Sequence, residues 1–420
     1  MHLFDRDTVL VFDGSKGVVL QRKGLAGGAS AEEWNLSQPD KVREVHREYI
    51  KAGSDVIQTN TFCANEALLK NHGLEENLYP INFEGARLAL EEAAASEVRV
   101  AASIGPTGLF FQPAGDMTFE MAVEIYKKQL QPLQDAGIRI VNFETFTDLN
   151  EMRAAIIAAK EVGGLEILAS MTFEGQRTMS GNTPAACAVA FSALGASAVG
   201  ANCSGGPESL LEPICEMADV TDVPLCVKPN AGLPEMESGV AVFKQTPEDF
   251  ARMAQDFINC GVRLIGGCCG TDAGHIAALR RAVDKAEVKE RKSCGREMLA
   301  SAYETVEYTP SLKTTVMDVT TESVHAGIHS GDFFCLMDAL PMDVADAVIL
   351  DFGSMKMDFD MWGFVSTLGM FLKQPVIIRS KNRALAQAFL RCYAGRAGIT
   401  EDSVMPEETY GALHVQSCLE

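Results

Sequence analysis

Short apolar runs alternate with longer amphipathic stretches from residue 9 to about 285. The runs are Val9–Phe12, Asp55–Gln58, Val98–Ala102, Ile138–Phe143, Leu165–Ser170, Ala198–Ala201, Val223–Val227 and Val262–Ile265. Each is continuous rather than alternating, as expected of strands buried on both faces of a parallel sheet. Between them the spacing predicts helices over Pro39–Ala52, Glu84–Ala95, Phe119–Asp135, Leu149–Val162, Thr183–Leu194, Pro207–Ala218, Thr246–Cys260 and Ala273–Ala286. Start signals support several of them. Pro39 and Pro207 stand where a first turn tolerates proline, and Thr246-Pro247-Glu248-Asp249 combines a cap with acidic residues. Ala52-Gly53, Ala136-Gly137 and Cys260-Gly261 mark ends. Eight strand–helix units predict a closed (β/α)8 TIM barrel, with an open doubly wound sheet as the competing arrangement.

Beyond the eighth unit the pattern changes. The division expected is a barrel over residues 1–286, a charged connector over 287–300 and a smaller α/β unit over 301–420. In the last unit Ala347–Leu350 and Pro375–Ile378 read as buried strands and Asn382–Ala394 as a helix. The Met- and Phe-rich stretch from Met355 to Lys373 reads as core, with an adaptable partner surface as the alternative.

A barrel of this kind carries its chemistry at the carboxyl ends of its strands. Asp13-Gly14, Thr59-Asn60-Thr61, Ser103-Ile104-Gly105-Pro106, Glu144-Thr145, Asn202-Cys203, Lys228-Pro229-Asn230 and Cys268-Cys269 all fall there. Adjacent thiols such as Cys268 and Cys269 do not readily bond to each other, but both can reach one metal. With Cys203 they make three thiolates, which leave a tetrahedral zinc one open position, the mark of a catalytic rather than a structural site.

Charge and composition narrow the partners. There are 36 Lys and Arg against 57 Asp and Glu, a net charge of −21, so nucleic acid and anionic membranes are poor partners. No apolar run approaches the ~20 residues of a membrane helix. The start, Met1 to Asp7, has no signal-peptide pattern, and 12 cysteines without framework spacing fit a reducing cytoplasm with free thiols.

Together Asp13-Gly14, Thr59-Asn60-Thr61-Phe62, Ser103-Ile104-Gly105-Pro106, Glu144-Thr145, Asn202-Cys203, Pro229-Asn230-Ala231-Gly232 and Gly266-Gly267-Cys268-Cys269-Gly270-Thr271 resemble the zinc-dependent homocysteine S-methyltransferases. The resemblance covers residues 5–285 and is closest to the homocysteine-binding module of cobalamin-dependent methionine synthase. It implies Zn2+ held by Cys203, Cys268 and Cys269, with the homocysteine thiol at the open position. It also implies a substrate pocket built from Asp13, Gly14, Thr61, Ser103, Glu144 and Asn202, with Glu144 on the substrate ammonium. The product is methionine, and the expected donor is methylcobalamin on a separate corrinoid protein.

The sequence departs from that family in two places. Asp13-Gly14-Ser15-Lys16-Gly17 replaces a more usual Gly-Gly-Met-Gly-Thr-like opening, a change read as acting at the donor side. The C-terminal unit resembles the first part of a pterin-binding barrel but is too short for one, and Arg379 stands where an aspartate is expected. That unit is therefore read as packing or docking a partner rather than binding folate. Two alternatives stay open: direct methylation from betaine or S-methylmethionine, with Phe12, Phe62, Phe143, Phe146 and Phe173 as a partial cage for an onium group, and a non-catalytic zinc scaffold. Oligomeric state is not legible, and neither is the direction of transfer.

Overall fold

The structure is a computed structural model that describes residue 3 and residues 8–237, 240–289, 291–343 and 345–416. Most of the amino-terminal heptapeptide and Glu290 of the connector lie outside the described residues. Strands β1 (Leu10–Val11), β2 (Val56–Gln58), β3 (Arg99–Ile104), β4 (Ile140–Phe146), β5 (Glu166–Met171), β6 (Ala198–Cys203) and β7 (Leu225–Pro229) are followed by a hairpin, β8 (Glu235–Glu237) and β9 (Val240–Val242), and then by β10 (Val262–Ile265). Eight of these form one sheet in the order β1-β10-β7-β6-β5-β4-β3-β2. A parallel bridge from Phe12 to Val56 joins its two ends, so the sheet is a closed barrel and not an open doubly wound one. Leu3, Phe12, Ala101, Ile140, Leu168, Ala198, Cys226 and Leu264 fill a layer of its interior.

Helices Phe119–Asp135 and Leu149–Val162 run over the expected residues. The segment expected to be one helix from Thr246 is two, Pro247–Ala251 and Ala254–Asn259, because the chain tightens into a three-residue turn from Asp249 to Arg252. Several strands extend beyond the apolar runs at their carboxyl ends. Backbone pairing continues through Ser103, Cys203 and Lys228, and Glu144 lies within β4 at an irregularity of its ladder with β5 between Phe143 and Phe146. Ser103, Glu144, Asn202 and Cys203 thus sit on strand ends, whereas Asp13, Gly14, Thr61, Cys268 and Cys269 follow their strands.

The C-terminal unit begins with an antiparallel hairpin, β11 (Met298–Ala300) with β12 (Thr305–Glu307), the first strand lying inside the span read as a connector. It continues as β13 (Thr314–Asp318), β14 (Ala347–Gly353), β15 (Val376–Ser380), β16 (Gly398–Thr400) and β17 (Leu413–Val415), parallel and in sequential order. Sequential parallel order is that of a barrel segment. One face packs on helices through Val348, Leu350, Ile378, Phe364 and Phe389. The other face, with Ile349, Ile377, Leu413 and Val415, is covered by Leu299 and Val306 of the hairpin. Met361, Trp362, Phe364, Val365 and Leu368 of the Met- and Phe-rich stretch are buried, as a core reading requires.

The two units share one continuous apolar cluster. Trp362 packs on Phe111 and Phe119 of the barrel at ring separations of 4.9 and 5.8 Å. Arg391 pairs with Glu120 and Glu161, both at 2.7 Å. Arg153, 2% exposed, inserts its guanidinium between the units and donates to the carbonyls of Leu390, Arg391 and Gly395. Burial pushes its pKa down to about 10. Arg153→Met would strip three buried carbonyls of their donor. It is expected to cost about 3 kcal/mol or more in urea denaturation; a loss below about 1 kcal/mol would show that the guanidinium does not hold the units together.

Candidate metal and substrate site

The mouth of the barrel holds a cavity of about 390 Å3. Its wall includes Gly14, Lys16, Gln58, Thr61, Ser103, Glu144, Lys228 and the three cysteines. Cys203 ends β6, and Cys268 and Cys269 follow β10, on the other side of β7. Their sulfurs lie within 4.8 Å of one another, so one ion can reach all three. Among the described residues this is the cluster of three or more metal-ligand side chains.

Backbone and amide contacts hold the trio. Cys203 and Ser204 both adopt φ 65°, and Thr145 beside Glu144 adopts φ 68°. Left-handed geometry in three non-glycine residues is strained, and such strain persists where surrounding bonds over-determine it. Those bonds are present. The Thr145 N–H donates to Asn202 Oδ1 at 2.7 Å, and Asn202 Nδ2 donates to Thr145 Oγ1 at 2.8 Å. The same amide lies 3.7 Å from Cys268 Sγ. Asn230 Nδ2 donates to the Ser204 carbonyl and Asn230 Oδ1 accepts from the Cys269 N–H, both at 3.0 Å. Thr271 Oγ1 donates to the Cys268 carbonyl at 2.7 Å. Gly14 has no side chain for a plain reason: a Cβ there would meet Thr271 Oγ1 at 2.7 Å and the Tyr49 hydroxyl at 2.9 Å.

The thiols control one another. Hydrogen bonds from Cys268 and Cys269 pull the Cys203 pKa well down, and the same contacts push Cys268 and Cys269 up. Three sulfurs this close ionise together only with a cation among them. The donor set fits zinc: three sulfurs converge from two strand ends, their open side toward the cavity.

A second group of charges lines the wall. Ser103 Oγ donates to Glu144 Oε1 at 2.6 Å, and Gln58 Nε2 donates to the same oxygen. Lys228 Nζ meets Glu144 Oε2 at 2.7 Å and also donates to Gln58 Oε1. Burial lowers the Lys228 pKa, but Glu144, Asp13 and Cys268 outweigh it and hold the ammonium above its ordinary value. Asp13 Oδ2 accepts from Lys16 Nζ at 2.7 Å and from the Gln58 N–H at 2.8 Å. Asp13 Oδ1 is buried with no hydrogen-bond partner. Thr61 Oγ1 donates to the Ser103 carbonyl at 2.8 Å.

Of the residues expected from sequence, Gly14, Thr61, Ser103, Glu144 and the three cysteines line the cavity, while Asp13 and Asn202 are buried behind it and reach its wall through Lys16 and Thr145. Sequence reading left Gln58, Asn230 and Lys228 out of the site. Lys228 and Asn230 were legible only as rim positions, and Gln58 as the end of an apolar run. Of the five phenylalanines considered for an onium cage, Phe62 lines the cavity. Phe12, Phe143, Phe146 and Phe173 are buried at 0–1% exposure, and Phe143 and Phe146 pack against Tyr126.

The sequence model described as homocysteine S-methyltransferase matches residues 10–283. The chain belongs to that family. Among curated relatives, this family member is 26% identical over 450 residues to methionine synthase of Mycobacterium tuberculosis (strain ATCC 25618 / H37Rv), covering 97% of this chain and 38% of that protein. It is 29% identical over 309 residues to methionine synthase of Mycobacterium leprae (strain TN), covering 67% of this chain and 25% of that protein. The chain therefore spans well under half the length of these relatives. Among solved structures, the metallated form of the homocysteine methyltransferase MmuM from Escherichia coli aligns with a TM-score of 0.57 at 22% identity, over 66% of this chain and 97% of that one. Its oxidized form aligns with the same TM-score at 23% identity. These two likenesses concern the barrel fold.

Two further observations qualify the thiol and membrane readings. Cys215 and Cys260 form a disulfide with Cα atoms 5.4 Å apart, which corrects the expectation of free thiols at that pair. The helices that flank β6 and β10 bring these two residues together across 45 positions of sequence, which no spacing rule reveals. Among the described residues no helix is long and apolar enough to cross a membrane.

Glu144 and Lys228 are 7% and 6% exposed at their side chains, so each depends on the other. Lys228→Met is expected to cost about 3–5 kcal/mol by leaving the carboxylate without its counter-charge. Adding Glu144→Gln should restore a large part of that loss in urea denaturation. Strictly additive losses would show that the pair is not coupled.

Proposed function

We propose that this family member is a zinc-dependent methyltransferase that moves a methyl group to the thiol of homocysteine to give methionine, the donor being methylcobalamin on a separate corrinoid protein. The observation that carries the reading is the convergence of the Cys203, Cys268 and Cys269 sulfurs on a cavity whose wall also holds Glu144. When bound there, zinc keeps a coordinated thiol deprotonated at neutral pH, where a free thiol with a pKa near ~8.5 is mostly protonated.

The chain's own side chains do the rest. The three cysteines hold the ion, and Asn202 and Asn230 fix their orientation. Glu144 Oε2 and Asp13 Oδ1 are the acceptors for the substrate ammonium: the first has one partner, the second none. Ser103 and Gln58 hold the Glu144 carboxylate in place. With the acceptor held in the cavity of the barrel mouth, the methyl group would arrive from the mouth.

The corrinoid donor is supported by the similarity to methionine synthase, which extends over 97% of the chain and so includes the C-terminal unit. An onium donor is less well served, since one phenylalanine lines the cavity. Within the C-terminal unit Arg379 Nη1 lies 3.3 Å from Asp351, so that carboxylate is already paired inside the unit. The cavity of about 390 Å3 beside the thiols favours an enzyme over a scaffold.

A donor panel with homocysteine and zinc tests the reading. Methylcobalamin or a methylated corrinoid protein should yield methionine, and betaine, S-methylmethionine and methyltetrahydrofolate should not. Cys269→Ala should lose zinc and at least about 100-fold in rate, while Cys187→Ala and Cys294→Ala should keep both. Full transfer by the Cys269→Ala protein would refute the reading, and transfer from betaine would refute the donor.

A further inference from the structure

Lys16 belongs to the segment that departs from the family pattern, and the structure places it inside the pocket. Its Nζ makes one hydrogen bond among the described residues, to Asp13 Oδ2 at 2.7 Å, and the side chain is 12% exposed on the cavity wall. An ammonium has three N–H donors, so two of them remain for a ligand. Lys228 differs. Its donors go to Glu144 and Gln58, and its ammonium lies 5.0 Å from the centre of the Phe12 ring. Beside Lys16 is the buried, unpartnered Asp13 Oδ1. Lys16 thus offers free donors on the cavity wall, and behind it the buried Asp13 carboxylate keeps one oxygen without a partner.

We propose that Lys16 binds the carboxylate of the methyl acceptor and so makes this pocket selective for thiols that carry a carboxylate. The inference rests on the homocysteine reading above and deepens it. The acceptor's thiol goes to the cysteine trio and its ammonium to Asp13 Oδ1 and Glu144. Its carboxylate then has Lys16 as a charged donor on the same wall. Asp13 holds the lysine in place through Oδ2 and leaves Oδ1, buried and without a partner, for the ammonium. A buried lysine beside a single carboxylate gains from a second anion. Burial, with the nearby Lys228, holds the Lys16 pKa below its ordinary value in spite of Asp13 and Glu144.

The test is calorimetric binding to the zinc-loaded full chain of three thiols: homocysteine, 4-mercaptobutyrate, which lacks the ammonium, and 3-mercaptopropylamine, which lacks the carboxylate. Wild type should bind 3-mercaptopropylamine at least about tenfold more weakly than homocysteine, the value of a lost charge-assisted hydrogen bond. Lys16→Met should weaken homocysteine and 4-mercaptobutyrate by about tenfold or more and leave 3-mercaptopropylamine within about twofold. Lys16→Arg, which keeps the charge, should retain most of the homocysteine affinity, and it carries the test if the Met variant fails to fold. Equal weakening of all three thiols by Lys16→Met would overturn the proposal, because it would make Lys16 a support for Asp13 only. Unchanged homocysteine affinity would overturn it as well. Failure of all three thiols to bind wild type would refute the homocysteine reading itself.

Discussion

Three thiols packed within 4.8 Å can share a single negative charge by hydrogen bonding, but they cannot all ionise without a cation among them. The rest of the barrel mouth follows from holding those thiols there. Cys203 reaches the cluster through left-handed backbone at the end of β6, and the adjacent thiols reach it from the turn after β10. Asn202 and Asn230 tie the two strand ends to β4 and to the cysteine backbone. These amides sit where a zinc site needs support beyond its ligands. The strain in Thr145, Cys203 and Ser204 is what these bonds sustain.

The same mouth solves a second electrostatic problem. Two carboxylates, Asp13 and Glu144, are buried near the sulfurs, and each is compensated by a lysine within 2.7 Å. The two pairs are not equivalent. Glu144 and Lys228 are locked together through Gln58 and Ser103, whereas Lys16 has free donors on the cavity wall and Asp13 keeps one buried oxygen without a partner. One pair is therefore held by further side chains and the other is not. The C-terminal unit stands apart from this chemistry and is bound to the barrel by Arg153, Arg391 and Trp362.

Much of this was legible in the residues. Continuous apolar runs located all eight barrel strands, because strands buried on both faces have no polar alternation to confuse them. The motifs Asn202-Cys203 and Gly266-Gly267-Cys268-Cys269-Gly270-Thr271 located the metal-ligand cluster, because a thiol trio in glycine-rich turns has few other uses. Less was legible where side chains change role in three dimensions. Lys16 read as a change at the donor side, since nothing in sequence shows that it folds back onto Asp13. Lys228 and Gln58 lie on strand ends whose inward direction depends on where pairing stops. In the C-terminal unit β13 escaped notice because Thr314, Thr315 and Val316 are half-exposed or exposed, so its apolar signal is weak. Strands β16 and β17 are three residues each, below the length at which periodicity can be read. The Cys215–Cys260 pair escaped because its partners meet only through the packing of two barrel helices.

The central claim is that the cysteine trio holds an ion with one position open to a substrate thiol. Zinc K-edge X-ray absorption on the zinc-loaded chain, with and without homocysteine, addresses it directly. Three sulfur ligands at about 2.3 Å and one lighter donor are expected without substrate, and four sulfurs with it. A first shell that homocysteine leaves unchanged, or one already filled by four protein ligands, would contradict the account.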